Sequence, residues 1–322
     1  MLAVRCVAQS DDQPLDGLSV AQIDAPEVPD GWVRVSVRAA ALNHHDLWSL
    51  KGVGLDASKL PMTLGCDAAG TLDDGTEVVV HAVIGDPEAG GGDETLDPRR
   101  TLLSELHQGT LAEQVVVPAR NVVPKPSVLS WTDAACLPTA WLTAYRMLTT
   151  RSGLEAPGTV LVQGAGGGVA TAAIVLAKAL GHTVFCTSRG ADKRERASAL
   201  GADVVVESGE RLPEKVDVVI ETVGSATWSH SLRALRPGGR IVVSGATSGP
   251  NPPADLNRVF FLQLSVVGST MGTRGELEDL LGLVESSGIR PVVDEIRPMD
   301  EARTAFERLE RGDAFGKLVL TV

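Results

Sequence analysis

The sequence predicts an α/β protein in which a doubly wound parallel α/β domain is inserted into a β-rich domain, ahead of that domain's C-terminal part. Residues from about 1 to 125 carry short runs with strand periodicity, whereas from Thr159 onward apolar runs alternate with helical stretches. A glycine-rich turn joins the first of those later runs to the helix after it. At 322 residues the chain suits about two domains of roughly 150 residues each. Hydrophobic residues make up 43% and charged ones 22%, a globular balance that excludes a disordered chain. Lys and Arg number 29 against 41 Asp and Glu, and the net charge of -12 opposes nucleic-acid or anionic-membrane binding by bulk charge. No apolar run approaches the roughly 20 residues that span a bilayer. The opening Met1-Leu2-Ala3-Val4-Arg5-Cys6 lacks a signal-peptide layout. The expectation is a soluble, cytoplasmic protein with neither a membrane nor a nucleic-acid partner.

In the first part, Trp32-Val33-Arg34-Val35-Ser36-Val37-Arg38 alternates apolar and polar side chains, as a half-buried strand does. Glu77–Val80 and Gln114–Val117 are shorter β-branched runs. Gly85-Asp86-Pro87-Glu88-Ala89-Gly90-Gly91-Gly92 reads by composition as a flexible surface segment, in part disordered. Ser130-Trp131-Thr132-Asp133 fits a helix-initiating capping box. Strands are then expected at Thr159–Gln163, Thr183–Thr187, Asp203–Val206, Val216–Glu221 and Arg240–Ser244, with helices at about 169–180, 192–200 and 227–235. This spacing implies right-handed βαβ crossovers and a parallel sheet. Arg236-Pro237-Gly238-Gly239 is a stop and turn before the fifth strand. Glu276–Ser286 and Asp300–Arg311 look helical, and Lys317–Val322 looks like a closing strand. The expected domains are 1–140, 141–272 and a C-terminal return, 273–322, to the first. Cys6, Cys66, Cys136 and Cys186 form no CxxC pair, so neither a disulfide framework nor a four-cysteine zinc knot is expected.

Val160-Leu161-Val162-Gln163-Gly164-Ala165-Gly166-Gly167-Gly168-Val169-Ala170 is a strand, a glycine-rich turn and a helix start. Missing Cβ atoms let the backbone approach a dinucleotide pyrophosphate, and the helix N-terminus offers free N–H groups. The motif is imperfect: counted from Gly164 the third glycine position falls on Val169, and counted from Ala165 the first glycine is lost. A turn of this kind also serves simply to pack a helix on a sheet. Past the second strand the chain reads Cys186-Thr187-Ser188-Arg189-Gly190-Ala191-Asp192-Lys193, with no acid at the strand tip to accept from a ribose 2′-hydroxyl. Ser188 can donate to a 2′-phosphate, and Arg189 and Lys193 can neutralise it, so the cofactor expected is NADP(H). The alternative is a solvated basic helix start, since Arg194 and Arg196 follow.

Several segments in order resemble the medium-chain dehydrogenase/reductase superfamily of alcohol dehydrogenases and quinone oxidoreductases. Ala41-Leu42-Asn43-His44-His45-Asp46-Leu47 is similar to the segment that reads Cys-His-Ser-Asp in zinc alcohol dehydrogenases, and Leu64-Gly65-Cys66-Asp67-Ala68-Ala69-Gly70 to Gly-His-Glu-x-x-Gly. Leu137–Tyr145 resembles the helix entering the cofactor domain. Glu221–Gly224 and Gly268–Gly272 resemble segments lining the nicotinamide pocket, and Gly316-Lys317 the C-terminal Gly-Lys. The resemblance covers nearly the whole chain. It implies a GroES-like β-rich catalytic domain plus a doubly wound Rossmann domain.

By that resemblance the catalytic zinc-ligand positions are Asn43, Cys66 and Thr139, with Asp67 in place of the zinc-shell Glu. An Asn amide and a Thr hydroxyl are poor zinc ligands, the loop at about 85–110 lacks a cysteine cluster, and His44 and His45, adjacent on an extended turn, point apart. No metal is expected. The resemblance then narrows to the zinc-independent quinone oxidoreductase branch, whose members use NADPH to reduce quinones or α,β-unsaturated carbonyls, where an enolate needs only hydrogen-bond donors. Asn43 is the first choice for polarising the carbonyl, His44 or solvent for the proton, and Asp46 for buttressing the turn. The resemblance also implies that Gly167, Gly168 and Val169 face the pyrophosphate and Thr143 the phosphate–ribose side. Val223, Gly245, Ala246 and Thr247 would border the ribose and nicotinamide, with Thr270 and Met271 nearby and Lys317 as a phosphate or pocket contact. Phe260–Val267 would extend the sheet across a twofold interface, giving a homodimer, with substrate in a cleft between the domains. Two other readings stand beside this one: an alcohol or aldehyde oxidoreductase, and a non-catalytic NADPH-binding sensor.

Overall fold

The computed structural model describes residues 1–322, which form two compact units: Met1–Leu142 with Met271–Val322, and Thr143–Thr270. No helix is long and apolar enough to cross a membrane.

At the centre of the first unit is the strand Trp32–Ala41, which pairs antiparallel with Asp67–Leu72, Gln114–Pro118 and Lys317–Thr321. Val35 and Val37 point inward while their neighbours stay half-exposed, the period of two read in the sequence. The pattern changes at Ala39-Ala40-Ala41, which is buried throughout because the helix Trp131–Ala135 covers the sheet there. Val293–Pro298 adds to Lys317–Thr321 in parallel, and Leu18–Gln22, Leu2–Cys6 and Met62–Thr63 form a separate three-stranded sheet. The helix Ala302–Arg311 repeats apolar residues at Ala302, Ala305, Phe306 and Leu309, all of them buried in this unit's core.

The segment expected to be flexible is instead a hydrogen-bonded turn. Gly90 N–H donates to Asp86 O and Gly92 N–H to Pro87 O. Asp86, Asp93 and Asp97 each accept the amide two residues on, so the acids within and just after the glycine run set the backbone. Glu94 fastens the segment: it is buried, accepts the Arg274 N–H at 2.6 Å and lies 3.4 Å from His81 Nε2. Burial opposes its charge, but His81 and the Arg274 amide outweigh it and hold the carboxyl down at about 2.

The second unit is a six-stranded parallel sheet in the order Val204–Glu207, Thr183–Ser188, Thr159–Gln163, Val216–Glu221, Leu235–Val243, Ser265–Gly268. Sequence order reverses between the third and fourth of these, which makes the carboxyl ends of Thr159–Gln163 and Val216–Glu221 the topological switch point. Helices Gly168–Ala179, Ala191–Ala199 and Ser225–Ala234 fall within two residues of the expected ranges.

Four local expectations are corrected. Arg236–Gly239 does not precede the fifth strand but bulges within it, because the register steps from Val216↔Leu235 to Val218↔Arg240. Phe260 and Phe261 are exposed on a short helix, Leu256–Phe261, whose cap Asp255 accepts from Arg258 N–H; only Ser265–Gly268 is strand. Only half of the Ser130 capping box forms, since Asp133 accepts the Ser130 hydroxyl rather than a backbone amide. His44 and His45 do not sit on an extended turn but open the helix His44–Leu50.

Gly316 has φ +107, and a Cβ there would lie 2.2 Å from Val292 O. Gly316→Ala is therefore expected to destabilise the protein by about 2–3 kcal/mol or more, read as a lower urea midpoint. An unchanged midpoint would show that this turn adjusts freely.

Candidate functional site

The site in the first unit is assembled where three chain segments end against one another. The strand Trp32–Ala41 runs into Asn43, and Ala41 pairs directly with Asp67, the first residue of the neighbouring strand. Asp46, fully buried in the first turn of the helix His44–Leu50, accepts Asn43 N–H at 2.8 Å through one oxygen and Gly65 N–H at 2.9 Å through the other. It thereby stitches residues 43 and 65 together. Burial raises its pKa to about 6, although the His45 charge and the Asn43 amide favour the anion.

Into this corner comes Lys317, 3% exposed, from the C-terminal strand. Its Nζ donates to Leu42 O at 2.7 Å, Asn43 Oδ1 at 2.6 Å and Asp67 Oδ2 at 3.0 Å. Three donors meet three acceptors, so the ammonium has no proton left for a phosphate, and the expected phosphate contact is corrected. Asn43 is corrected too. Its Oδ1 is held by Lys317, and its Nδ2 donates to Asp67 Oδ2 at 2.9 Å and more weakly to Ala41 O at 3.4 Å. The amide that was expected to polarise a carbonyl instead ties the ion pair.

Beside it stands a second cluster that sequence reasoning missed. His45 Nε2 lies 3.0 Å from Glu105 Oε1, while Nδ1 lies 3.5 Å from both Cys66 Sγ and Ser104 Oγ. The Cys66 thiol donates to Leu103 O at 3.2 Å, so both ring nitrogens of His45 face acceptors. Burial disfavours the imidazolium, yet Cys66 and Glu105 outweigh it and hold the His45 pKa well above its usual value. Burial pushes the Cys66 thiol up, against the His45 charge and hydrogen bond, which pull it down. Crowding of the His44 ring, followed by the Lys317 charge, lowers its pKa. The overlooked signal was Asn43 followed three residues later by Asp46, a helix start that turns His45 rather than His44 toward Cys66 and Glu105.

These donors do not fit a zinc ion. Asn43 Oδ1 already accepts from an ammonium, Cys66 is one sulfur alone, and no group of three His, Cys, Asp or Glu side chains has a metal-holding arrangement. Thr139 lies in a π-helical turn, Leu137–Trp141, with its Oγ1 buried and without a partner.

In the second unit, Gly164 has φ +80 and donates to Thr187 Oγ1 at 3.3 Å. Gly167 caps the 12-residue helix Gly168–Ala179 without a side-chain hydrogen bond, and a Cβ on it would meet nothing within 4 Å. An open glycine turn at a helix N-terminus fits a dinucleotide pyrophosphate. Beside it, a Cβ on Gly164 would sit 3.5 Å from Val223 Cγ2, and Thr247 N–H donates to Thr222 O at 3.4 Å. The residues expected around the cofactor at Gly164–Val169, Val223 and Gly245–Thr247 thus converge on one end of the sheet. Ser188 is buried at the next strand tip and Arg189 is exposed; their carbonyls both accept from Arg194, and Lys193 is half-buried. Thr143 is buried and Thr270 exposed, whereas Met271 packs in the core of the other unit.

Sequence reasoning also missed the support under this turn. Buried Glu221 accepts from Val223 N–H, Gly224 N–H, Thr227 Oγ1 and Ser231 Oγ. Gln163 Nε2 donates to Ser231 Oγ and to His230 Nδ1, which assigns the proton to His230 Nε2, 2.8 Å from Glu210 O. Burial lowers the His230 pKa, in keeping with this neutral form.

Removing one member of the buried Lys317–Asp67 pair strands the other. Lys317→Met is expected to cost about 3–5 kcal/mol. Combined with Asp67→Asn it should cost at least about 1 kcal/mol less than the two single losses added together. Additive losses in a denaturation cycle would show that the pair is not coupled.

A family model described as "Alcohol dehydrogenase GroES-like domain" matches residues 29–127, and one described as "Zinc-binding dehydrogenase" matches 168–286. An acryloyl-coenzyme A reductase of Metallosphaera sedula is 32% identical, over 95% of this chain and 96% of its own. A crotonyl-CoA reductase of Streptomyces avermitilis is 27% identical, over 96% of this chain and 82% of its own. The crystal structure of an NAD-dependent alcohol dehydrogenase superposes with a TM-score of 0.92 at 36% identity, covering all of both chains (100% and 100%). The chain belongs to the zinc-type alcohol dehydrogenase-like, medium-chain dehydrogenase/reductase superfamily.

Proposed function

We propose that the chain is an NADPH-dependent, zinc-free oxidoreductase that transfers hydride to a quinone or an α,β-unsaturated carbonyl compound. The observation that carries this reading is the use of Asn43 Oδ1 by Lys317, which leaves Cys66 as the one good ligand among the three metal positions. Without a Lewis acid to stabilise an alkoxide, a conjugated acceptor is the substrate class that the remaining donors serve. The relative named for reducing acryloyl-coenzyme A supports the same class. Ser188 and Arg189 at the strand tip, with no carboxylate in the Cys186–Gly190 run, support the 2′-phosphate of NADPH over NADH. The exposed edge strand Ser265–Gly268, with Val266 uncovered, supports a homodimer.

When bound, NADPH supplies the hydride. The residues of the chain divide the remaining work. The glycine turn at Gly164–Gly168 holds the pyrophosphate. Thr139 Oγ1, which has no protein partner, donates to the substrate oxygen where enolate charge develops. His45, anchored through Nε2 by Glu105 and only loosely held at Nδ1, delivers the proton from Nδ1.

The direct test follows NADPH and NADH oxidation by metal-free protein with quinones, enones, enoyl thioesters and simple aldehydes. Turnover of conjugated acceptors with NADPH preferred is the expected result. Activity confined to aldehydes, or requiring added zinc, would favour an alcohol dehydrogenase. NADPH binding without any turnover would favour a sensor.

His45 must be protonated to act, so kcat is expected to fall as pH rises through its elevated pKa. His45→Gln should lower kcat by about a hundredfold or more and remove that alkaline limb. A retained limb in this variant would assign the proton to another group.

A further inference from the structure

A cavity of about 510 Å³ opens in the β-rich unit and shares no lining residue with the Lys317 or His45 clusters. Its size is that of a small-molecule site. Trp32 and His107 form an aromatic wall, with ring centroids 5.0 Å apart and planes tilted by 56°. Burial lowers the His107 pKa, so the wall is uncharged at neutral pH.

Two polar groups in the lining lack the partners that burial requires. Arg5 is half-buried and is the one Lys or Arg in the lining. Its Nη2 donates only to Pro61 O at 3.1 Å, its Nε is buried without a partner, and no carboxylate pairs with it. Gln114 Oε1 is likewise buried with no donor. The acids of the lining, Asp24 and Glu27, are exposed on its rim, where solvent screens them. A half-buried cation without a counter-ion and an acceptor without a donor both cost free energy that a complementary ligand would offset.

We propose that this cavity binds a small planar aromatic hydroxy acid, its ring against Trp32 and His107, its carboxylate on Arg5 and its hydroxyl toward Gln114. The recognition is independent of the oxidoreductase reading, because none of its residues belongs to that machinery.

Calorimetric titration of the full chain with 4-hydroxybenzoate tests it. Saturable one-site binding is expected, weakened about tenfold or more by Arg5→Met, since a charge-assisted hydrogen bond is lost. 4-Hydroxybenzamide, isosteric but uncharged, should bind at least about tenfold more weakly than the acid. No binding at millimolar ligand would overturn the proposal, as would a smaller loss in Arg5→Met, which would place the ligand elsewhere. Thermal melting checks that Arg5→Met is folded. If it is not, His107→Ala provides the same reading through loss of the aromatic wall.

Discussion

The buried ion pair between Lys317 and Asp67 is the constraint around which the β-rich unit is organised. A charge in this corner is costly unless it is both paired and fully hydrogen-bonded, and Lys317 meets that condition only if three acceptors converge on it. Convergence requires the Trp32–Ala41 strand to end at Leu42, Asn43 to turn its amide inward, and Asp67 to begin the neighbouring strand. Asp46 then fixes the spacing by bonding to both residue 43 and residue 65. The chemistry proposed for the site follows from what this arrangement leaves over. Asn43 is spent on structure, while His45 and Cys66 meet each other beside it and Thr139 keeps an orphaned oxygen.

The dinucleotide-type unit solves a related problem differently. Glu221 is also a buried carboxylate beneath a site turn, but it is satisfied by amides and hydroxyls rather than by a cation. Because these donors belong to the segment Val223–Ser231, the acid shapes the very turn that borders the glycine-rich loop. Gln163 and neutral His230 carry that order back to the strand from which the loop springs. One unit thus holds its site with an ion pair and the other with a neutral network.

Much of this was legible in the sequence where the information is local. Strands such as Thr159–Gln163 and Val216–Glu221 could be read because an apolar run bounded by turn residues has few other solutions in a βαβ series. The glycine turn was readable for the same reason. What could not be read is non-local. Nothing near residue 317 in the chain announces that its ammonium will meet residues 43 and 67, so the same lysine could be assigned to a phosphate. The His45 contacts were hidden by a local reading: Asn43 and Asp46 mark a helix start, and taking the segment as extended concealed that His45, not His44, meets Cys66 and Glu105. Glycine content in residues 85–92 suggested disorder because it outweighed the Asp residues that close the turns.

The separation between Lys317 and its partners has a consequence for how the molecule is made. Asp67 and Asn43 leave the ribosome long before Lys317, and the whole Thr143–Thr270 unit is synthesised in between. During that interval the nascent N-terminal segment holds an acid whose counter-ion does not yet exist, so its corner stays hydrated rather than packed. Closing it brings together residues 250 and 274 positions apart, and the entropic cost of that closure falls once the intervening unit has become compact. The strand Lys317–Thr321 therefore acts as a keystone: this corner becomes dry and ordered only after Lys317 has been made.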